Sequence, residues 1–443
     1  MQIHLRFQAA WDGVRTGLWF VPAIMMAASV ALAAGGISLD RTLAGRAPAA
    51  QDWWVFASTA GEARDVAAAL MTALITMTSL AFSITMVVLS LASSQFGPRL
   101  IRNFMASLQT QLVLGTFVMT ILYLLIILAW TGNIGNAKEL PFATISLGVL
   151  QTAVSVVLLV FHFHSLGRSI VSESVIERVG RELDDVLGQL PPLKDGEDTS
   201  DPAAALPPDF ARLATRFGPR RAGYIQAIEF RALTDIARRS DAIIGFSFRP
   251  GDYVAEGGRG IAIYPGSADT PQLRGLILET LSIGVHRTPV QDPEYPVRHL
   301  VEIAVRALSP GTNDPYTAVA VVHRLSSCLA RAMRLDMPAG VFADAEGRAR
   351  VICPRPSHRS LVAGSFDQIR QNAADKPLVL IHLIEALARI AEHRSTAGQA
   401  DLLLEQLDII LDDAERGVAN AADIADIRDR ARQVRDAVAA VSG

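Results

Sequence analysis

Four apolar segments in the first 165 residues constrain this chain more than any other feature. Gly17–Ala34, Val66–Leu91, Thr110–Trp130 and Phe142–Phe163 each approach or exceed the roughly 20 residues a helix needs to cross a hydrocarbon core. Backbone groups in lipid must find partners within the chain, so such segments are expected to be helices. Half of the 443 residues are hydrophobic, and the excess lies in these segments. The remainder has ordinary soluble composition, so the chain divides into a membrane domain and a soluble one.

Arginine placement gives an orientation. Arg6, Arg15, Arg99, Arg102, Arg168, Arg178 and Arg181 flank one side of the spans, and Arg41, Arg46 and Lys138 flank the other. The excess on the first side places both termini in the cytoplasm, and with them everything that follows the fourth span. A net charge of −3 gives no global footprint for nucleic acid.

The second span carries an unusual pattern. Thr72, Thr76, Ser79, Ser83, Ser90 and Ser94 follow one another at spacings of three, four or seven residues, which sets them on one helix face. Two readings are open. The hydroxyls line an aqueous path, offering hydrogen bonds without a fixed charge to trap an ion. Alternatively, they are small residues that let helices pack closely. In the fourth span Gln151 and Ser155 form a polar pair. His162 and His164 lie near its end; residues two apart do not share a helix face, so they point to interfacial anchoring or hydrogen bonding and not to a metal site. After the second span, Gly97–Pro98 breaks the helix, and Arg99 and Arg102 follow in a short amphipathic turn, read either as an ordinary interfacial helix or as a coupling of the soluble domain to the span.

The expected division is 1–165 for the spans, 166–208 for an exit helix and linker, 209–356 for a cytosolic α+β domain, and 357–443 for a helical region. Within 209–356 a small β module is read from strands at 224–230, 242–248 and 260–264, followed by a helix over 270–286. Helices at 297–308 and 315–335 then flank the joint Ser309–Thr317, and a hairpin is expected over 341–356. In the joint, Pro310 and Gly311 end one helix. Asn313 or Asp314 caps the next, and Pro315 suits its first turn. Free N–H groups at that helix start also suit an anion, with Ser309, Thr312 and Thr317 as further ligands, although Asp314 would oppose it.

Motifs for nucleotide, zinc-protease or serine-hydrolase chemistry are not found, and no cofactor or metal site is expected. An enzyme would need polar side chains to converge near Asp292, Glu302, His323 and Asp314. Asp292 and Glu302 otherwise read as salt-bridge partners of Arg298 or Arg306. Cys328 and Cys353 form no CxxC pair and are expected to be buried free thiols.

The elements SSQFGPRLIRNF, RAGYIQAIEF, RPGDYVAEG and RTPVQDPEYPVRHLVEIAVRALSPGTNDPYTA, following a four-span start, resemble the bacterial membrane protein family called domain of unknown function 2254. The resemblance implies this architecture and an inner-membrane location, and it carries no reaction. The function expected is an oligomeric ion channel or transporter-like protein regulated by its cytosolic domain. The alternative is a membrane-anchored ligand sensor or scaffold. The partners expected are the lipid bilayer, further copies of the chain and a small ligand or ion, without nucleic acid.

Overall fold

The computed structural model describes residues 19–43, 60–96, 108–131, 142–169, 172–193, 206–337 and 340–440. These fall into two compact units, 1–171 and 172–443.

The first unit is built from four helices: α1 (Phe20–Leu43), α2 (Ala60–Phe96), α3 (Leu108–Thr131) and α4 (Phe142–Ser169). All four are long and apolar enough to cross a membrane. α1 runs on past the apolar run through Gly35 and Gly36 to Leu43, and α2 begins six residues before its apolar run, at Ala60. α3 is the hub, packing against the other three. Its buried side chains include Phe117, Tyr123, Leu124 and Ile127, which meet Ala33 of α1, Ala67 and Leu74 of α2, and Ile145 of α4. Small residues set the helix spacing. A side chain on Gly115 would strike Met25, and one on Gly148 would press on Leu124.

One contact closes this bundle at the start of α4. Asp40, near the end of α1, is 3% exposed. Its carboxylate accepts the backbone N–H groups of Ala143 (2.7 Å) and Thr144 (3.1 Å), together with the Thr144 hydroxyl. The first N–H groups of a helix lack partners within it, and they carry positive partial charge. Asp40 therefore caps α4 from another helix. Tyr123 Oη adds a bond to the Thr144 carbonyl at 2.8 Å.

The second unit begins with α5 (Ser172–Leu187), whose buried Val175, Ile176, Val179, Leu183 and Leu187 form one face. After the short α6 (Phe210–Leu213), two sheets form. The larger is made from β1 (Thr215–Phe217), β3 (Ile243–Phe246), β5 (Ile261–Tyr264), β7 (Val341–Ala343) and β8 (Ala349–Ile352), in the order β1-β5-β3-β8-β7. All its pairs are antiparallel except β3 with β8. The smaller places β2 (Gly223–Ile228) between β4 (Tyr253–Val254) and β6 (Leu281–Gly284), antiparallel to both. The helices α7 (Phe230–Arg239) and α8 (Pro271–Glu279) supply Leu233, Ile236, Leu273 and Ile277 to the core of this region.

The helix expected over 270–286 is corrected here. Thr270 caps α8, accepting Leu273 N at 3.1 Å, but the helix ends at Glu279 and β6 follows. Pairing with β2 supplies the backbone partners that helix continuation would have given, and Ile283 turns into the core. The rest of the unit is helical: α9 (Glu294–Ala307), α10 (Pro315–Ala332), α11 (His358–Asn372), α12 (Pro377–Ala391), α13 (Ala397–Gly417) and α14 (Ala421–Ala440). α5 packs on α9 and α10, α10 on α12, and α12 on both α13 and α14. Arg324 of α10 fastens α5 through Asp184 (2.5 Å) and Glu177 (3.1 Å).

Candidate functional site

The α2 helix separates two faces. Ala63, Ala67, Leu74, Ala81, Thr85 and Leu89 are buried against the bundle. On the opposite side Thr72, Thr76, Ser79, Ser83 and Ser90 are all exposed. The hydroxyl face therefore takes no part in packing the bundle of its own chain. The Thr72 and Thr76 hydroxyls bond back to the carbonyls of Ala68 (2.8 Å) and Thr72 (2.9 Å), which satisfies their protons within the helix. Their oxygens retain acceptor capacity toward the outside. Exposed Leu80, Met86 and Val87 border the face. Ser94 lies within α2, but its side chain is outside the described residues, as are Arg99 and Arg102.

The Ser309–Thr317 joint is held by its own hydrogen bonds. Thr312 N and Asn313 N donate to Ser309 O, and Asp314 N donates to Ala307 O. Ser309 Oγ donates to Arg306 O at 2.7 Å and to Thr312 Oγ1 at 3.4 Å. Asp314 is the cap of α10, accepting Thr317 N (3.1 Å) and Thr317 Oγ1 (2.6 Å). Asn313 takes a positive φ of 45°, a conformation that asparagine tolerates better than most residues. Asp314 thus occupies the helix start that an anion would need.

The structure brings together two other motif segments, RPGDY and RTPVQDPEY. Arg249 Nη2 donates to both carboxylate oxygens of Glu294 (2.8 and 2.7 Å). Arg287 pairs with buried Asp292 and lies 3.8 Å from Glu294. Asp292 therefore pairs with Arg287, and not with Arg298 or Arg306, because the turn before α9 folds the two together. Glu302 does pair with Arg306, at 3.3 Å. Gly251 has φ +98° and sits so close to Asp292 and Arg287 that a side chain would collide with both. Gln291 completes the lock, exchanging two hydrogen bonds with the backbone of Ile228 at the end of β2 (3.0 and 3.1 Å). Beside this cluster, Arg355 lies over the Phe230 ring at 5.2 Å. Burial holds its guanidinium below the ordinary arginine range, with Arg249 nearby adding to the effect.

A cleft of about 360 Å³ opens along the same loop, lined by Ser247, Phe248, Asp252, Tyr253 and the backbone through Gly260. Burial pushes the Cys328 and Cys353 thiols up to about 12, and both are free. The four residues that an enzyme would need to gather have separate partners. Asp292 holds Arg287, Glu302 holds Arg306, Asp314 holds Thr317, and the His323 ring packs on that of His382 at 5.1 Å. No group of three or more metal-ligating side chains is present among the described residues.

Sequence reasoning passed over Asp40 and the Arg249–Glu294 pair. Asp40 follows the first apolar run and looks like an ordinary flanking charge. The signal for Arg249 and Glu294 was that each adjoins a proline inside a turn motif, where a bare turn would need no charge.

Four apolar helices followed by a unit of two small sheets and a helical layer define a polytopic membrane protein with a large extramembrane part. The chain belongs to the family described as "predicted membrane protein (DUF2254)", whose match covers residues 15–389. It is similar to the uncharacterized proteins Mb1321c of Mycobacterium bovis and Rv1290c of Mycobacterium tuberculosis. Each is 28% identical over 98% of this chain and 83% of the relative. No solved structure matches it.

Proposed function

We propose that this protein is an inner-membrane homo-oligomer that acts as an ion channel or transporter-like protein, with the hydroxyl face of α2 lining a path shared between copies. The cytosolic unit regulates it, and both termini face the cytoplasm, in keeping with the arginine distribution. The observation that carries this reading is the division of α2. Its alanine- and leucine-bearing face serves the bundle, while five described hydroxyl residues face away from it. Hydroxyls gain little from contact with lipid chains but suit water or a second copy of the helix.

The test is flux from liposomes holding the purified protein. The Ser79→Leu, Ser83→Leu double variant is expected to abolish ion flux while leaving the fold intact, because bulky apolar side chains exclude water from a narrow path. Unchanged flux would reject this face as the lining. A second reading, a membrane-anchored ligand sensor or scaffold, draws on the cleft beside Asp252 and Tyr253. Absence of any flux from folded, reconstituted oligomers would favour it.

A further inference from the structure

We propose a second, internal path: a mid-depth hydration site within the bundle of each chain, through which protons pass between Asp40 and His162. It goes beyond the shared path along α2 and does not depend on it.

One face of α4 carries Thr144, Gln151, Ser155 and His162, at spacings of seven, four and seven, and all four are buried. From Thr144 to His162 the helix rises about 27 Å, close to the roughly 30 Å of a hydrocarbon core. At one end of this face lies the Asp40 carboxylate on Thr144. At the other, His162 Nε2 lies 3.0 Å from the Thr85 hydroxyl of α2. Between them, Ser155 Oγ and Thr120 Oγ1 of α3 are 3.2 Å apart.

Gln151 is the decisive residue. It is 8% exposed, and neither its amide nitrogen nor its amide oxygen finds a hydrogen-bond partner among the described residues. An amide in a lipid-surrounded interior is strongly penalised when it has no partners. Because these atoms are enclosed by their own chain, neither lipid nor a second copy relieves it. A small polar guest does, and water is the one that fits two donors and an acceptor at once. Ser155, one turn along α4, offers the next oxygen, although its own proton goes to the Gln151 carbonyl at 2.8 Å.

Water held there divides the rise of about 27 Å into two shorter steps of about 10 Å and about 17 Å. Each step is bridged by transient waters, with every oxygen passing one proton on as it accepts another. The titratable groups facing the column are Asp40 from α1, Tyr123 from α3 and His162 from α4; α2 presents Thr85. Among the described residues, Arg41, Glu62, Arg64, Asp65 and His164 also lie on these helices, and all five are exposed.

The test imposes a pH gradient on liposomes that contain the full chain and an internal pH dye. Wild-type protein is expected to dissipate the gradient faster than protein-free vesicles. Gln151→Leu should slow this at least about tenfold, and Asp40→Asn should slow it as well. Gln151→Ser, which keeps polarity and leaves room for water, should retain most of the flux. The Ser79→Leu, Ser83→Leu variant should leave proton flux intact while blocking potassium flux, so the two paths fail separately. Wild-type vesicles no faster than empty ones would overturn the proposal. So would a Gln151→Leu protein as fast as wild type, or a folded Gln151→Ser protein as slow as empty vesicles. If Gln151→Leu does not reconstitute, the wild-type, Asp40→Asn and Gln151→Ser measurements decide.

Discussion

Asp344 illustrates how a single residue in the soluble unit can be tested by pH. It opens the β7–β8 turn, accepting Arg348 N at 2.9 Å and Arg350 Nε at 2.7 Å. The Arg350 guanidinium beside it holds its carboxyl below the usual carboxylate range, and the Arg348 N–H helps. A carboxyl whose folded value is depressed stabilises the fold fully above its unfolded value of about 3.9, and that contribution fades as pH falls through the folded value. The gap in unfolding midpoint between wild type and Asp344→Asn should therefore be complete at pH 7 and should close below about pH 4. A gap that widens in acid would contradict the pairing. The thiols are a second residue-scale case. With Cys328 and Cys353 raised to about 12 by burial, a maleimide at neutral pH should label the folded soluble unit only after unfolding. The buried state of these cysteines was legible in the sequence, since neither had a CxxC neighbour. The partner of Asp292 was not, because five residues of turn decide between Arg287 and the arginines of α9.

At the scale of elements, the joint before α10 makes a clean prediction. Asp314→Ala removes both bonds to Thr317 and should lower stability by about 1 kcal/mol, read from chemical denaturation. No loss would mean that Pro315 and the turn alone start the helix. Most helices were readable because apolar residues recur at helical spacing. The β6 strand was not, since LSIG continues the apolar pattern of α8 and only its pairing with β2 sets it apart. The parallel pairing of β3 with β8 was equally hidden, because about a hundred residues separate the partners. On α2 the sequence marked the hydroxyl face but left open which way it points. Ala63, Ala67 and Ala81 are also small, so size alone favoured neither side for close packing. The buried Leu74 and Leu89 decide it in the structure.

At the scale of the whole molecule, residues 172–443 contain the complete core of both sheets, and α9 and α10 cover the apolar face of α5. A fragment spanning these residues should be soluble and should keep its helical circular-dichroism signal. Aggregation or a molten profile would show that this unit needs the spans to complete its fold. The four apolar helices at the start were apparent from composition alone. The buried polar groups within the spans were not, because Asp40, Gln151 and His162 gain meaning only when α1, α2, α3 and α4 are assembled.

The cap that Asp40 places on α4 also sets an order of events during biosynthesis. Its partners lie 103 and 104 residues downstream. At about 5–20 residues per second, the ribosome needs on the order of 5–20 seconds to supply them. Throughout that interval the polar Asp40 side chain of α1 lacks these partners. The first helix is therefore an unfinished piece that waits for the last, and insertion of α4 is the step that lets the bundle close.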